Sequence, residues 1–248
     1  MGALPSPAYT CHGGVIAPGT YGSVTIAGTC YVPSGVVTID GNLTLAPGSL
    51  LDAVSPESGG PGSSLPGDVY VSGNVTVGQG AALGLGCSPS ICEDSTNDSV
   101  GGNLTAVNAL AVIVHGVTIG GNATVTGGGG GVTCDSPPLF DTDPNLSGSP
   151  AYGDFENNTI RGNLTVLDLQ SCWLGALRNQ VGGNANFSDN TLADPDANEL
   201  LDNDVTQNMV CLNDSPAVQV GDSGAPPNVV DGFAVGQCAA PISVKPKM

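Results

Sequence analysis

Apolar and polar positions alternate in short bursts along this chain, and most bursts follow a Gly-Asn pair. The clear copies are IDGNLTL (39–45), VSGNVTV (71–77), VGGNLTA (100–106), IGGNATV (119–125) and IRGNLTV (160–166). VGGNANF (181–187) and LDNDVTQ (201–207) are degenerate copies, and GSVTI (22–26) is a partial first one. After each Asn, a polar residue stands between two apolar ones. This period-two alternation predicts a strand with one buried face.

With Ser23, Asn42, Asn74, Asn103, Asn122, Asn163, Asn184 and Asp204 as markers, the steps are 19, 32, 29, 19, 41, 21 and 20 residues. A period near 20 with strand-and-turn composition predicts an all-β solenoid, in which each unit buries its apolar face only against its neighbours. Steps of 32 and 29 read as one unit plus an insertion, and 41 as about two units, giving nine or ten coils. The chain reads as a single domain, 1–248. Loop insertions are expected near 55–68, 87–99 and 127–157, and a frayed tail at 241–248.

The repeat assigns roles to its residues. The β-branched first position (Ile39, Val71, Val100, Ile119, Ile160, Val181) points inward. The Gly is expected to take φ > 0 at a tight bend. The six asparagines Asn42, Asn74, Asn103, Asn122, Asn163 and Asn184 then stack inside one corner as a hydrogen-bonded ladder, which would close to glycans the N-x-[ST] sequons of the first five. The polar residues form an outward column of Thr25, Thr44, Thr76, Thr105, Thr124, Thr165 and Thr206, interrupted by Asn186.

Charge narrows the partners. Twenty-two acidic residues face four basic ones, Arg161, Arg178, Lys245 and Lys247, for a net charge of −18. No cationic footprint exists for nucleic acid, and anionic polymers and membranes are disfavoured. No apolar run approaches the roughly 20 residues of a membrane span, so membrane insertion is not expected. The start, MGALPSPA, reads as a mature N-terminus with an added Met.

Eight cysteines predict four disulfides and an oxidising, extracellular compartment. Cys11 and Cys30, 19 apart, would sit on adjacent coils. Cys87 and Cys92 would close a small loop, Cys211 and Cys238 would pin the last coils, and Cys134 and Cys172 remain.

The repeat units resemble those of secreted actinobacterial proteins of unassigned function. NQVGGN (179–184), GDSGAPPN (221–228) and GQC (236–238) resemble the tails of the same proteins. The resemblance implies a single-stranded, right-handed parallel β-helix, similar in fold to pectate lyases. It implies no activity, since fold alone does not fix function.

No catalytic set emerges from the residues. Arg161 and Arg178 read as surface cations. Asp194, Asp196 and Glu199, or Asp141 and Asp143, offer oxygen ligands for Ca²⁺, and no other cofactor is implied. His115, in the apolar run ALAVIVHGVTI, reads as a satisfied wall or core residue, and His12 as terminal surface. GDSG at 221–224 and GGGGG at 127–131 lack the partners of a serine hydrolase or a phosphate loop. T-x-T recurs only at Thr124 and Thr126, too rarely for an ice-binding face. The expectation is a secreted, non-enzymatic structural or surface protein able to associate with itself. The alternatives are a polysaccharide-active enzyme and a carbohydrate- or protein-binding module.

Overall fold

The structure is a computed structural model and describes residues 6–55, 67–87, 98–220 and 225–239. Within them the chain winds as a parallel β-helix. A typical turn gives one strand to sheet A, one to sheet B and one to sheet C; these sheets hold ten, eight and nine strands, and a fourth sheet pairs Gln170–Ser171 with Thr191–Leu192. In each sheet the neighbours run in chain order and every pairing is parallel, as between Val75–Val77 and Leu104–Val107.

The alternation of the repeat becomes sheet A. Leu43, Val75, Leu104, Ala123, Leu164 and Ala185 stack inside, each almost fully buried. Between them Thr25, Thr44, Thr76, Thr105, Thr124 and Thr165 pair strand to strand on the outer face. Thr10 precedes this column, and Asn186 and Val210 continue it. Thr206 is not in it. It follows the sheet C strand Asp204–Val205, where Val205 pairs with Val181. The LDNDVT segment is therefore displaced relative to the other copies, and Asn208, not Asp204, takes the corner position.

The step of 41 residues is one coil and not two. Thr124 pairs directly with Thr165, and the Asn163 amide donates to Asn122 Oδ1 at 2.8 Å. The surplus chain leaves the helix as an insertion between sheets A and B. Of the other expected insertions, 56–66 and 88–97 lie outside the described residues, as do Cys92, the GDSG segment and the tail 241–248.

At the Gly-Asn corner, each backbone amide donates to the Asn Oδ1 of the coil before it: Asn74 to Asn42, Asn103 to Asn74, Asn122 to Asn103 and Asn184 to Asn163, all at 2.8 Å. Asn208 extends the series onto Asn184 at 3.1 Å. Two expectations fail here. The asparagines are not inside: Asn42, Asn74 and Asn103 are exposed, and Asn122, Asn163 and Asn184 are half-buried. Nor do the corner glycines take positive φ. Gly is required for space, because a Cβ on Gly73, Gly102 or Gly121 would overlap Oδ1 of the preceding ladder asparagine.

Left-handed backbone is used at the other two corners. Asn157, Arg178 and Asp202 take φ of 55–56° where sheet B turns into sheet C. Asn108, Asp168, Asp189 and Asn213 do so after sheet A. Behind the first of these rows runs a second ladder, Asn158, Asn179, Asn203 and Asn228, of which the first three are buried and the last half-buried. Asn158 Nδ2 donates to Asn179 Oδ1, Asn179 Nδ2 to Asn203 Oδ1 and Asn203 Nδ2 to Asn228 Oδ1, at 2.8–2.9 Å. Here each coil donates to the next one, the reverse of the Gly-Asn corner.

Disulfides join Cys11 to Cys30, Cys134 to Cys172 and Cys211 to Cys238. The first ties the opening strand of sheet A, Tyr9–Cys11, to the sheet B strand Thr29–Tyr31, and the last ties the final coil.

Candidate functional site: a strapped groove on sheet B

Sheet B differs from the others in being covered on its outer face. The strand Ala111–His115 is buried at all five positions, which accounts for its near-continuous apolar sequence. Val112 and Val114 face the helix interior, and Ala111, Ile113 and His115 point outward.

The cover is the insertion after Thr126. Phe140, in a short 3₁₀ turn (Phe140–Thr142), is fully buried against Leu50, Ala82 and Ala111. Hydrogen bonds fasten it to early coils: Tyr31 Oη donates to the Thr142 carbonyl at 3.0 Å, the Thr29 and Thr142 hydroxyls meet at 2.7 Å, and Asn145 Nδ2 donates to Asp52 Oδ2 at 2.9 Å. Cys134–Cys172 holds the other end. The segment is thus a strap across several coils. Between strap and sheet lies a groove of about 550 Å³, counting its open mouth. It is walled by Val54, Gly84, Ile113, Phe140 and Leu146, and Asp52, His115 and Tyr152 supply polar groups. Trp173 stands edge-on to Tyr152, ring centroids 6.2 Å apart.

At one end of the groove the outward residues become charged. His115 Nε2 lies 2.6 Å from Asp154 Oδ2, with both side chains 7% exposed. His115 Nδ1 is 3.0 Å from the Cys87 carbonyl, so this nitrogen carries a proton and donates. Arg178 Nη2 donates to Glu156 Oε2 at 2.6 Å and its Nε to Asn157 Oδ1 at 2.8 Å. These bonds hold Arg178 at φ 56°, a region costly for a residue that is neither Gly, Asn nor Asp.

Burial opposes a charge on His115, but the hydrogen bond and charge of Asp154 outweigh it and raise the imidazole pKa. Burial raises the Asp154 and Glu156 carboxyls, against the pull of His115 and Arg178. The His115–Asp154 pair therefore shares a tightly held proton. Asp154 Oδ1 is buried and has no hydrogen-bond partner.

The residues read from the sequence as cation ligands do not assemble. Asp194 Oδ1 accepts the Asp196 amide at 2.9 Å, and Asp196 accepts Gln219 Nε2, while Glu199 sits on sheet B in the Asp154 column. Asp141 is exposed, whereas Asp143 is buried in the strap with Oδ1 on the Asn145 amide. Burial, followed by the charge of Asp52, raises the Asp143 carboxyl. Among the described residues, His115, Asp154 and Glu156 form the one group of three whose ligand atoms all lie within 4.8 Å of each other. In the sequence, His115 reads as a wall or core residue, and Asp154 and Glu156 group with Asp141 and Asp143 as acidic residues of an insertion. The D-F-E pattern at 154–156 carries no recognisable signal, since the spacing that places two carboxylates on one face of a strand is common. Arg161 and His12 are exposed.

No protein-family model, no curated protein and no solved structure matches this chain.

Proposed function

We propose that this is an extracellular, disulfide-braced binding solenoid that holds an uncharged saccharide in the groove between the strap and sheet B, without transforming it. The observation that carries this reading is the groove itself: apolar walls of Val54, Gly84, Ile113, Phe140 and Leu146 beside Asp52, His115 and Tyr152. Sugar rings present apolar faces and hydroxyl edges, and such sites pair a mainly apolar wall with a few placed polar groups. The net charge of −18 repels polyanionic chains. Three disulfides suit an oxidising compartment.

Catalysis is the weaker reading. Glycoside hydrolysis needs two carboxyls facing a substrate bond, about 5 to 9.5 Å apart. Asp154 and Glu156 are close, but they are engaged by His115 and Arg178. Calorimetric titration with a panel of neutral oligosaccharides, combined with assay of reducing-end release, separates the readings. Saturable binding without product supports the proposal. Release of product favours the enzyme, and no binding across the panel overturns the groove assignment.

A second reading, association of copies end to end, has its own observation. The last coil leaves Phe233 76% exposed, beside exposed Val229, Val235 and Leu212, and Val229–Val230 and Ala234–Gly236 end their sheets. Open parallel edges bearing apolar side chains are templates for pairing. Light scattering across a concentration series tests it: growth in mass that Phe233→Asp abolishes supports association, and a constant monomer mass refutes it.

A further inference from the structure

We propose that His115, Asp154 and Glu156 bind one divalent cation of the zinc class at the end of the groove. The donor set is one imidazole nitrogen and two carboxylates. That mixture suits Zn²⁺, Co²⁺ or Mn²⁺ and is poor for Ca²⁺, which gathers six to eight oxygens. The three ligand atoms already lie within 4.8 Å of one another. Two ligands each about 2.1 Å from a tetrahedral cation stand about 3.4 Å apart. The His115–Asp154 contact, at 2.6 Å, therefore opens by about 0.8 Å to admit an ion.

Three further observations point to a cation. The first is the orientation of His115. Its Nδ1–H is fixed on the Cys87 carbonyl, leaving Nε2 aimed at the carboxylates. This is the second-shell bond typical of metal-binding histidines. The second is Asp154 Oδ1, a buried carboxylate oxygen that meets no donor. Leaving such an oxygen unmatched is costly, and a cation relieves that cost. The third is charge. Asp154, Glu156 and Glu199 act electrostatically on this spot against one permanent cation, Arg178. Once the proton between His115 and Asp154 is displaced, the surplus is two negative charges, which a divalent ion cancels. Arg178, bonded to Glu156 Oε2, would orient that ligand from outside the site. The remaining coordination positions would take water or a groove ligand. The site does not depend on the saccharide reading.

The test uses the full chain after treatment with chelator. Titration with Co²⁺, followed by absorbance and calorimetry, should give one ion per chain, visible d–d bands of a low-coordinate site, and displacement by Zn²⁺. Glu156→Gln should weaken binding at least tenfold, while Asp196→Asn, on the exposed turn, should leave it unchanged. Because His115 is buried and its replacement risks the fold, its role is read in the native chain: the Nε2 resonance of His115 should shift on adding Zn²⁺ while that of His12 does not. The absence of a saturable site, equal affinity in Glu156→Gln, or an unmoved His115 resonance each overturns the proposal.

Discussion

Glycine and asparagine do different work at the three corners of the helix, and only part of that was readable from the repeat. The Gly-Asn pair marked the corner correctly, but the reason for the Gly is steric and not torsional. A Cβ on Gly102 would overlap Asn74 Oδ1 and crowd the Gly73 carbonyl. Gly102→Ala should therefore cost about 2–3 kcal/mol, because backbone must shift and the ladder bond from Asn103 to Asn74 is strained. Urea unfolding measures it, and Gly131→Ala provides the contrast. That glycine has φ +100° but no atom within 4 Å, so its cost is about 1 kcal/mol of torsional strain alone. The second ladder Asn158–Asn179–Asn203–Asn228 went unread, because those asparagines follow Asn, Arg, Asp and Pro and share no flanking signature.

At the corner after sheet A, Asn190 and Asp214 make a short ladder of the same kind, ending on the less suitable aspartate. Asn190 donates to its Oδ1 from both backbone and side chain, while Oδ2 is buried without a partner. Burial pushes its pKa up from 3.8 to about 6. The folded state then binds this proton more tightly than the unfolded chain does. Its contribution to stability is greatest at low pH, falls as pH rises from about 4 to 6, and remains unfavourable at pH 7. Asp214→Asn keeps the acceptor and supplies a donor. It should stabilise the fold at pH 7 by about 1–2 kcal/mol. The gain should shrink towards pH 4, as a series of denaturant midpoints would record.

Among the elements, the strap shows the limit of the repeat: the pattern predicts an insertion near 127–157, but not its place across sheet B. A step of 41 residues suggested a hidden coil, since length alone cannot distinguish a poorly marked unit from an excursion. The deciding residue is Phe140, whose side chain fills the space above Leu50, Ala82 and Ala111. Its partners lie 29 to 90 residues earlier in the chain, too far for any local pattern to reveal. The apolar run at 109–114 was the available clue: a strand with no polar alternation needs cover on both faces. Phe140→Ala should release the strap without unwinding the coils. Hydrogen exchange should show the opening free energy near residues 139–147 falling by about 2–4 kcal/mol, with sheet A protection unchanged.

For the whole molecule, the all-β solenoid and the stacking of the Thr column were legible, because both follow from a periodic one-dimensional pattern. The site was not, because it is built where the pattern breaks. The strap lies on one side of sheet B, and charged side chains from two strands and the corner after a third, Trp173–Leu177, meet at the end of the groove. His115, Asp154 and Glu156 come from the two strands and Arg178 from the corner. The fold thus provides a flat wall, and the insertion turns it into a groove. The central claim is that this groove receives the ligand. Gly84 lines this groove, where an added Cβ would crowd only the tip of Val54, at 2.9 Å, and would touch the Leu51 carbonyl and Asp52 Oδ1 at 3.7 and 3.8 Å. Calorimetric titration of native protein and Gly84→Leu with a neutral oligosaccharide that binds the native chain tests this directly. The account predicts that the variant remains folded and loses affinity by at least tenfold, about 1.4 kcal/mol. Equal affinity in the two proteins would place the ligand elsewhere and contradict it.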